Sequence, residues 1–359
     1  MIPADIGAEI ARMLHAAVAA GDLPHAAVAL SAAGTWRPAP AEAGGGPGTY
    51  ATSLPLEIAR LTGRPAETSA GWLAAGLGTV AWVRSARVTG GYVTITVTAG
   101  HLAALPARIV AAGPAVLRSG ALAGARITAP VLPDPAAAPG WNRAWRTQRD
   151  ALAGRLAAAA GATVLFVDSQ RNSTADSPTP GTAAAVPAAV TRHGADAVRY
   201  ALARASAARP RAIERQLGRP LDLDNPFVVV RYAHADAAST LRWAADLGLT
   251  PSGEAAQPAV GEIPRPELAL IDAMSWLPER VAAAARRARP AELTACLERV
   301  AGSWLDCADQ CPALPFRGAA APADPGGPAT ARRLGLADAA RVVLAAGLRL
   351  LGMAAPARM

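Results

Sequence analysis

The 359-residue chain has no lysine; all 35 of its cationic residues are arginines. That absence excludes a Walker A phosphate loop, a Schiff-base lysine and any other site that needs an ammonium group. Aromatic residues supply only 4% of the chain while hydrophobic ones supply 52%, so alanine carries much of the apolar content and close-packed helices are expected. Cysteine is scarce too. Three cysteines, an odd number, suit a reduced cytoplasmic protein better than a disulfide framework. Asp5 and Glu9 stand where an export signal would be positive, and Arg155, Asp338, Arg341 and Arg349 interrupt the longest apolar stretches. Neither a leader nor a membrane span is expected. With 27 acids the formal charge is +8, modest over this length, and part of the arginine excess reflects GC-rich codons shared with Ala, Gly and Pro.

Catalytic and metal-binding patterns are also missing. Cys307 and Cys311 lie four apart with Cys296 eleven before them, and no histidine is near in sequence, so they read as small core residues. The five histidines (15, 25, 101, 193 and 234) form no His-x-x-x-His or His-Glu pair, and His234 reads as a packed mid-helix residue. Gly44–Gly48 follows no strand, which makes it a loop rather than a phosphate cradle. No Gly-x-Ser-x-Gly occurs. No catalytic residue, metal site or cofactor is assigned.

What is present is mainly helical, and it is punctuated by Pro/Gly-rich stretches at 31–48, 131–140, 172–189, 250–266 and 312–329. Residues 1–105 read as a small α+β domain: helices over 5–20, 50–62 and 66–77, then a hairpin of Val80–Val83 and Tyr92–Val97 around Thr89-Gly90-Gly91. In the second strand Val93, Ile95 and Val97 alternate with Thr94, Thr96 and Thr98, predicting one buried and one wet face. Residues 106–190 hold a helix over 141–160 and a short strand over 163–167, an α/β remnant too small for a doubly wound sheet. Residues 191–359 read as a helical bundle, with helices at 225–247, 266–288, 290–309 and 329–352. The most basic stretch is 191–220, where Arg192, Arg199, Arg204, Arg209, Arg211, Arg215 and Arg219 face only Asp196 and Glu214.

Ordered motifs in 191–359 resemble those of the arginyl-tRNA synthetases. Asn225-Pro226 followed by Tyr232-Ala233-His234-Ala235 is similar to the family's Asn-Pro-x-x-Tyr-x-Gln-Tyr-Ala-His-Ala helix. Asp338-Ala339-Ala340-Arg341 is similar to the Asp-Ala-Leu-Arg signature of its DALR anticodon-binding domain. The Trp304–Cys311 helix and the ending Leu351-Gly352 through Pro356 to Met359 follow the same family. At the N-terminus, Tyr50-Ala-Thr-Ser53 and Gly91-Tyr92-Val-Thr94 stand where the family's D-loop-reading domain has Tyr-Ala-Thr-Asn and Gly-Phe-Ile-Asn. Both asparagines, whose amides can read a base edge, are replaced.

The resemblance fails in the centre. About 85 residues stand where the family has a class I core, and His-x-Gly-His occurs nowhere. Ala175-Asp176-Ser177-Pro178, followed by Gly181 and Thr182, occupies the place of Lys-Met-Ser-Lys, whose lysines neutralise departing pyrophosphate. No aminoacylation is expected. The resemblance implies tRNA binding, with arginine tRNA the natural candidate, through the bundle residues Arg199, Arg204, Arg211, Arg215, Tyr232, His234, Trp304, Arg341 and Met359. Tyr50, Tyr92 and Thr94 are the N-terminal candidates. Tyr232 and Trp304 read equally well as core residues, and the arginines as a solvated face. Two alternatives stand beside tRNA binding: a module docking on an aminoacyl-tRNA synthetase, and a ligase whose core a partner supplies.

Overall fold

A computed structural model describes residues 1–30, 36–39, 45–131, 134–138, 140–168, 184–251, 263–314 and 326–359. The chain runs α1 (Ile2–Ala19), β1 (Trp36–Pro38), β2 (Thr49–Thr52), α2 (Leu54–Thr62), α3 (Ala66–Leu77), β3 (Val83–Thr89), β4 (Tyr92–Val97), α4 (Ala99–Ala103) and α5 (Leu105–Ala112). The middle holds β5 (Arg126–Val131), α6 (Trp141–Ala159), β6 (Thr163–Asp168), α7 (Ala185–His193), α8 (Ala195–Arg204) and α9 (Pro210–Leu217). Then come α10 (Pro226–Asp246), α11 (Arg265–Ser275), α12 (Leu277–Arg287), α13 (Ala291–Gln310) and α14 (Pro328–Leu350). The fold is mainly α, as expected, with its small sheet near the N-terminus.

The abundance of proline does not oppose helix. α1, α2, α5, α9, α10, α11, α12 and α14 each carry Pro in the first turn, where the missing N–H costs no intrahelical bond. The same residue type explains one departure from expectation. The stretch 266–288 is two helices, because Pro278 cannot donate to a carbonyl four residues back and its ring crowds that carbonyl.

The four-stranded antiparallel sheet has the order β1-β2-β4-β3. Gly90 and Gly91, both at positive φ (54° and 79°), close the β3–β4 hairpin, whose first strand begins at Val83 rather than Val80. Tyr50-Ala51-Thr52, expected in a helix, belongs to β2; the helix begins only after Ser53. β2 lies between β1 and β4, with Tyr50 opposite Ile95 and Ala51 opposite Thr94. Consequently Thr94 is buried and the wet face of β4 is less complete than its alternation predicts.

β5, unseen in the sequence, pairs in parallel with β6, and α6 joins them as a β-α-β unit. Gly154 on α6 lets Ala129 and Phe166 approach: an added Cβ there would lie 2.8 Å from the Ala129 Cβ. In the C-terminal part α10 packs on α13 and α14, α11 on α13, and α12 on α6 and α13. Small residues permit close approach, with Ala233, Ala237, Ala339 and Ala340 fully buried. One continuous apolar core runs from Ile2 through the sheet and the helices to Met353.

The stretch Ala99–Leu117 is long and apolar enough to cross a membrane by length and composition alone. It is not one straight helix. It divides into α4, α5 and a 3-10 turn at Gly113–Leu117; Leu102, Leu105, Ile109, Val116 and Leu117 join the core, and α5 and the turn lie against α14.

Candidate nucleic-acid interface

The basic stretch sorts into two groups. Arg199 on α8 bonds Asp134 and, at 2.9 Å, Asp196. Arg204, one turn on, bonds both oxygens of Glu298 on α13 (2.8 and 3.4 Å), and Tyr200 donates its hydroxyl to the same carboxylate at 2.9 Å. Both guanidiniums therefore hold elements of the fold together.

α9 differs. Its Ile213 and Leu217, four residues apart, turn inward, while Arg209 before it, Arg211, Arg215 and Arg219 after it are exposed. Its one acid, Glu214, accepts the indole N–H of Trp141 at 2.9 Å. Arg219 donates to the Asp224 carbonyl at 2.7 Å; among the described residues, Arg209, Arg211 and Arg215 have no ion-pair partner. Arg204, Arg209, Arg215 and Arg219, with Ser206 and Gln216, line an open cleft of about 530 Å³. Arg192, at the end of α7, is exposed as well.

The Asn-Pro motif is a helix cap. Asn225 Oδ1 accepts the Phe227 N–H at 3.1 Å and its Nδ2 donates to the Pro220 carbonyl, so one side chain starts α10 and fixes the loop before it. Farther along α10, His234 is buried and its Nδ1 meets the Pro356 carbonyl at 2.8 Å, while Arg242 donates to the Ala357 carbonyl at 2.8 Å. Burial pulls the His234 pKa below its ordinary value, so the ring is a neutral donor that docks the C-terminal tail. Trp304 is only 3% exposed and donates its indole N–H to Asp236 at 3.0 Å. His234 and Trp304 are thus enclosed, whereas Tyr232, at 39% exposure, and Met359, at 65%, face solvent. Trp243, missed in the sequence, is similarly exposed, beside Arg242 and Arg358 in an open cleft of about 480 Å³.

In Asp338-Ala-Ala-Arg341 the alanines are fully buried against neighbouring helices and Arg341 bonds Asp338 at 2.6 and 3.0 Å. The motif packs a helix, and its arginine is half occupied by its own aspartate. At the N-terminus Tyr50 is fully buried, sharing a 2.9 Å hydrogen bond with Ser275 and tilting on Trp276 at 5.2 Å between ring centres. Burial raises its phenol pKa far above normal. Tyr50 and Thr94 are therefore structural; Tyr92 remains partly exposed under the Arg37 guanidinium, 4.7 Å from its ring centre. The three cysteines are buried and unpaired by disulfide, and burial pushes the Cys296 and Cys307 thiols up to about 11 and about 12. The loop at 175–182 lies outside the described residues, as does Gly44 of the Gly44–Gly48 loop.

A second cleft, of about 490 Å³, was not visible in the sequence. Trp145, Arg149, Arg287 and Arg289 line it, and it shares Ala205 and Ser206 with the first. Only the four-residue spacing of Trp145 and Arg149 on one helix hinted at it.

A mainly helical chain whose last helices enclose a small-residue core, capped by Asn-Pro and closed by a docked tail, defines the class: residues 230–359 match the DALR anticodon binding domain. An arginine–tRNA ligase of Frankia alni is 40% identical over 172 residues, and one of Micrococcus luteus 37% over 171. Each match covers 46% of this chain and 29% of the relative, so the chain matches under a third of the length of these relatives. The solved arginyl-tRNA synthetase of Thermus thermophilus superposes with a TM-score of 0.61 at 14% identity, covering 100% of both chains, a likeness of fold. The chain is a relative of the arginyl-tRNA synthetase family, through its C-terminal anticodon-binding domain.

Proposed function

We propose that the protein is a catalytically inactive, cytoplasmic relative of arginyl-tRNA synthetases that binds tRNA, arginine tRNA first among candidates, through residues 191–359. The observation that carries this is the exposed cation set of α9, Arg209, Arg211, Arg215 and Arg219, whose single acid is turned onto Trp141. Such a row neutralises phosphates and releases counterions. Tyr232 supplies a stacking face on the same bundle. Inactivity is supported by the lack of lysine and of His-x-Gly-His, and by Ala175 and Pro178 where pyrophosphate would need cations. On this reading 1–105 and 106–190 are the family's N-terminal domain and a shortened remnant of its core.

A gel shift with tRNA over a salt series tests the binding. Four phosphate contacts at about 0.7 each predict a log–log salt slope of about −3. Undetectable or salt-independent binding refutes it. Arginine-dependent ATP–pyrophosphate exchange by the pure protein would refute inactivity.

One observation favours a second reading, a module that docks on a synthetase or accepts its core. Leu165, Phe166 and Val167 on β6 are exposed (58%, 55% and 46%), although parallel strands are normally covered. Capture of a synthetase that survives RNase treatment would support this reading over tRNA binding.

A further inference from the structure

The two clefts that share Ala205 and Ser206 form one track across the α8–α9 loop. Trp145 holds that loop, donating its indole N–H to the Ala205 carbonyl at 3.0 Å. The Arg149 guanidinium lies over the Trp145 ring, 4.9 Å from its centre, and is fixed in plane by Asp150 at 3.0 and 3.1 Å. Its side chain is 40% exposed, so a flat cation backed by an indole forms part of the cleft wall. Opposite, α12 ends with Ala288 in the left-handed region (φ 49°), the sole non-glycine residue at positive φ among the described residues. That turn sets exposed Arg289 into the cleft, and Arg287 is held by Glu292 at 2.9 Å. Arg289 has no ion-pair partner among the described residues.

We propose that this track binds a single-stranded segment of RNA: phosphates on Arg209, Arg215 and Arg219, then one base stacked on the Arg149 guanidinium, then a phosphate on Arg289. The site rests on the RNA-binding reading above and deepens it by naming a strand path and a base platform. Base stacking on a guanidinium plane suits an unpaired nucleotide and tolerates any base, since each has a π-face. A helical stem would keep its bases inside and leave Arg149 unused.

The test uses the full chain, whole tRNA, an eight-nucleotide oligouridylate and its abasic counterpart, read by fluorescence anisotropy. R149K keeps the charge and removes the plane; it should weaken oligouridylate binding about five- to thirty-fold with the salt slope unchanged. The abasic strand should bind wild type and R149K alike. R289Q should flatten the slope by about 0.7. Unchanged melting temperatures of R149K and R289Q guard against misfolding, and W145F, which keeps a ring, should bind more tightly than W145A. If R149K and R289Q bind oligouridylate like wild type, or if wild type binds tRNA but not oligouridylate, the track is wrong while tRNA binding stands. If wild type binds neither RNA, both fall.

Discussion

Replacing Arg209, Arg215 and Arg219 together by Gln removes cations from one cleft without touching a buried contact, since all three are exposed. Among the described residues, the one side-chain hydrogen bond at risk is that from Arg219 to the Asp224 carbonyl. Each lost phosphate contact takes about 0.7 from the salt slope, so the triple variant should fall from about −3 to about −1. Between 50 and 200 mM salt, wild-type affinity for tRNA should then drop about sixty-fold and the variant's about four-fold. The matching control is R199Q with R204Q. Those guanidiniums are bonded to Asp134, Asp196 and Glu298, so the slope should hold while stability falls by about 1–2 kcal/mol, discounted for partial exposure. Anisotropy titrations at four salt concentrations, paired with urea unfolding, read both quantities. A triple variant that keeps the wild-type slope refutes the assignment. So does a folded R199Q/R204Q variant whose slope drops by a full unit.

Two more perturbations bear on the frame that carries this surface. Glu267 is fully buried and accepts from Arg332 (2.6 and 3.2 Å) and Arg333 (3.0 Å), so E267Q leaves two guanidiniums uncompensated and should cost about 2–4 kcal/mol in urea unfolding, whereas E267L/R332M/R333M should recover most of it; a single variant within about 0.5 kcal/mol of wild type would show the triad to be idle. The folded-state pKa of His234 is depressed by burial, so its contribution is present above its unfolded pKa, about 6.5, and is lost as pH falls below it, when the unfolded state takes up the proton first. Acid should therefore loosen the 354–359 tail before the bundle melts, as hydrogen exchange in the tail at pH 7 and pH 5 would report, and H234Q should remove that pH dependence; a tail equally protected at both values contradicts it.

Local physics was legible in the sequence. The helix of 66–77 has the bounds its pattern predicts, and α10, α13 and α14 differ from expectation by one or two residues. Asn225-Pro226 is a cap in any context, and Gly90-Gly91 a tight turn in any hairpin. The likeness to arginyl-tRNA synthetases was readable for the same reason: its motifs are largely caps and packing alanines. Misreadings arose where partners distant along the chain overrode the pattern. Tyr50 continues a helix-like run into Leu54 and Ile58, yet β1 and β4 on either side draw it into a strand. β5 has little signature of its own and exists by pairing with β6 across α6.

Sequence alone determined that lysine chemistry is impossible, that the chain is mainly helical with small-residue contacts, and that positive charge gathers at 191–220. Only the tertiary structure decided which of those charges are free. Arg199 finds Asp134 65 residues away and Arg204 finds Glu298 at a separation of 94, whereas Arg209, Arg211 and Arg215 find no acid among the described residues. Along the chain the two groups look alike, because a guanidinium's availability depends on which carboxylate the fold brings within about 3 Å of it, and no local pattern encodes that distance.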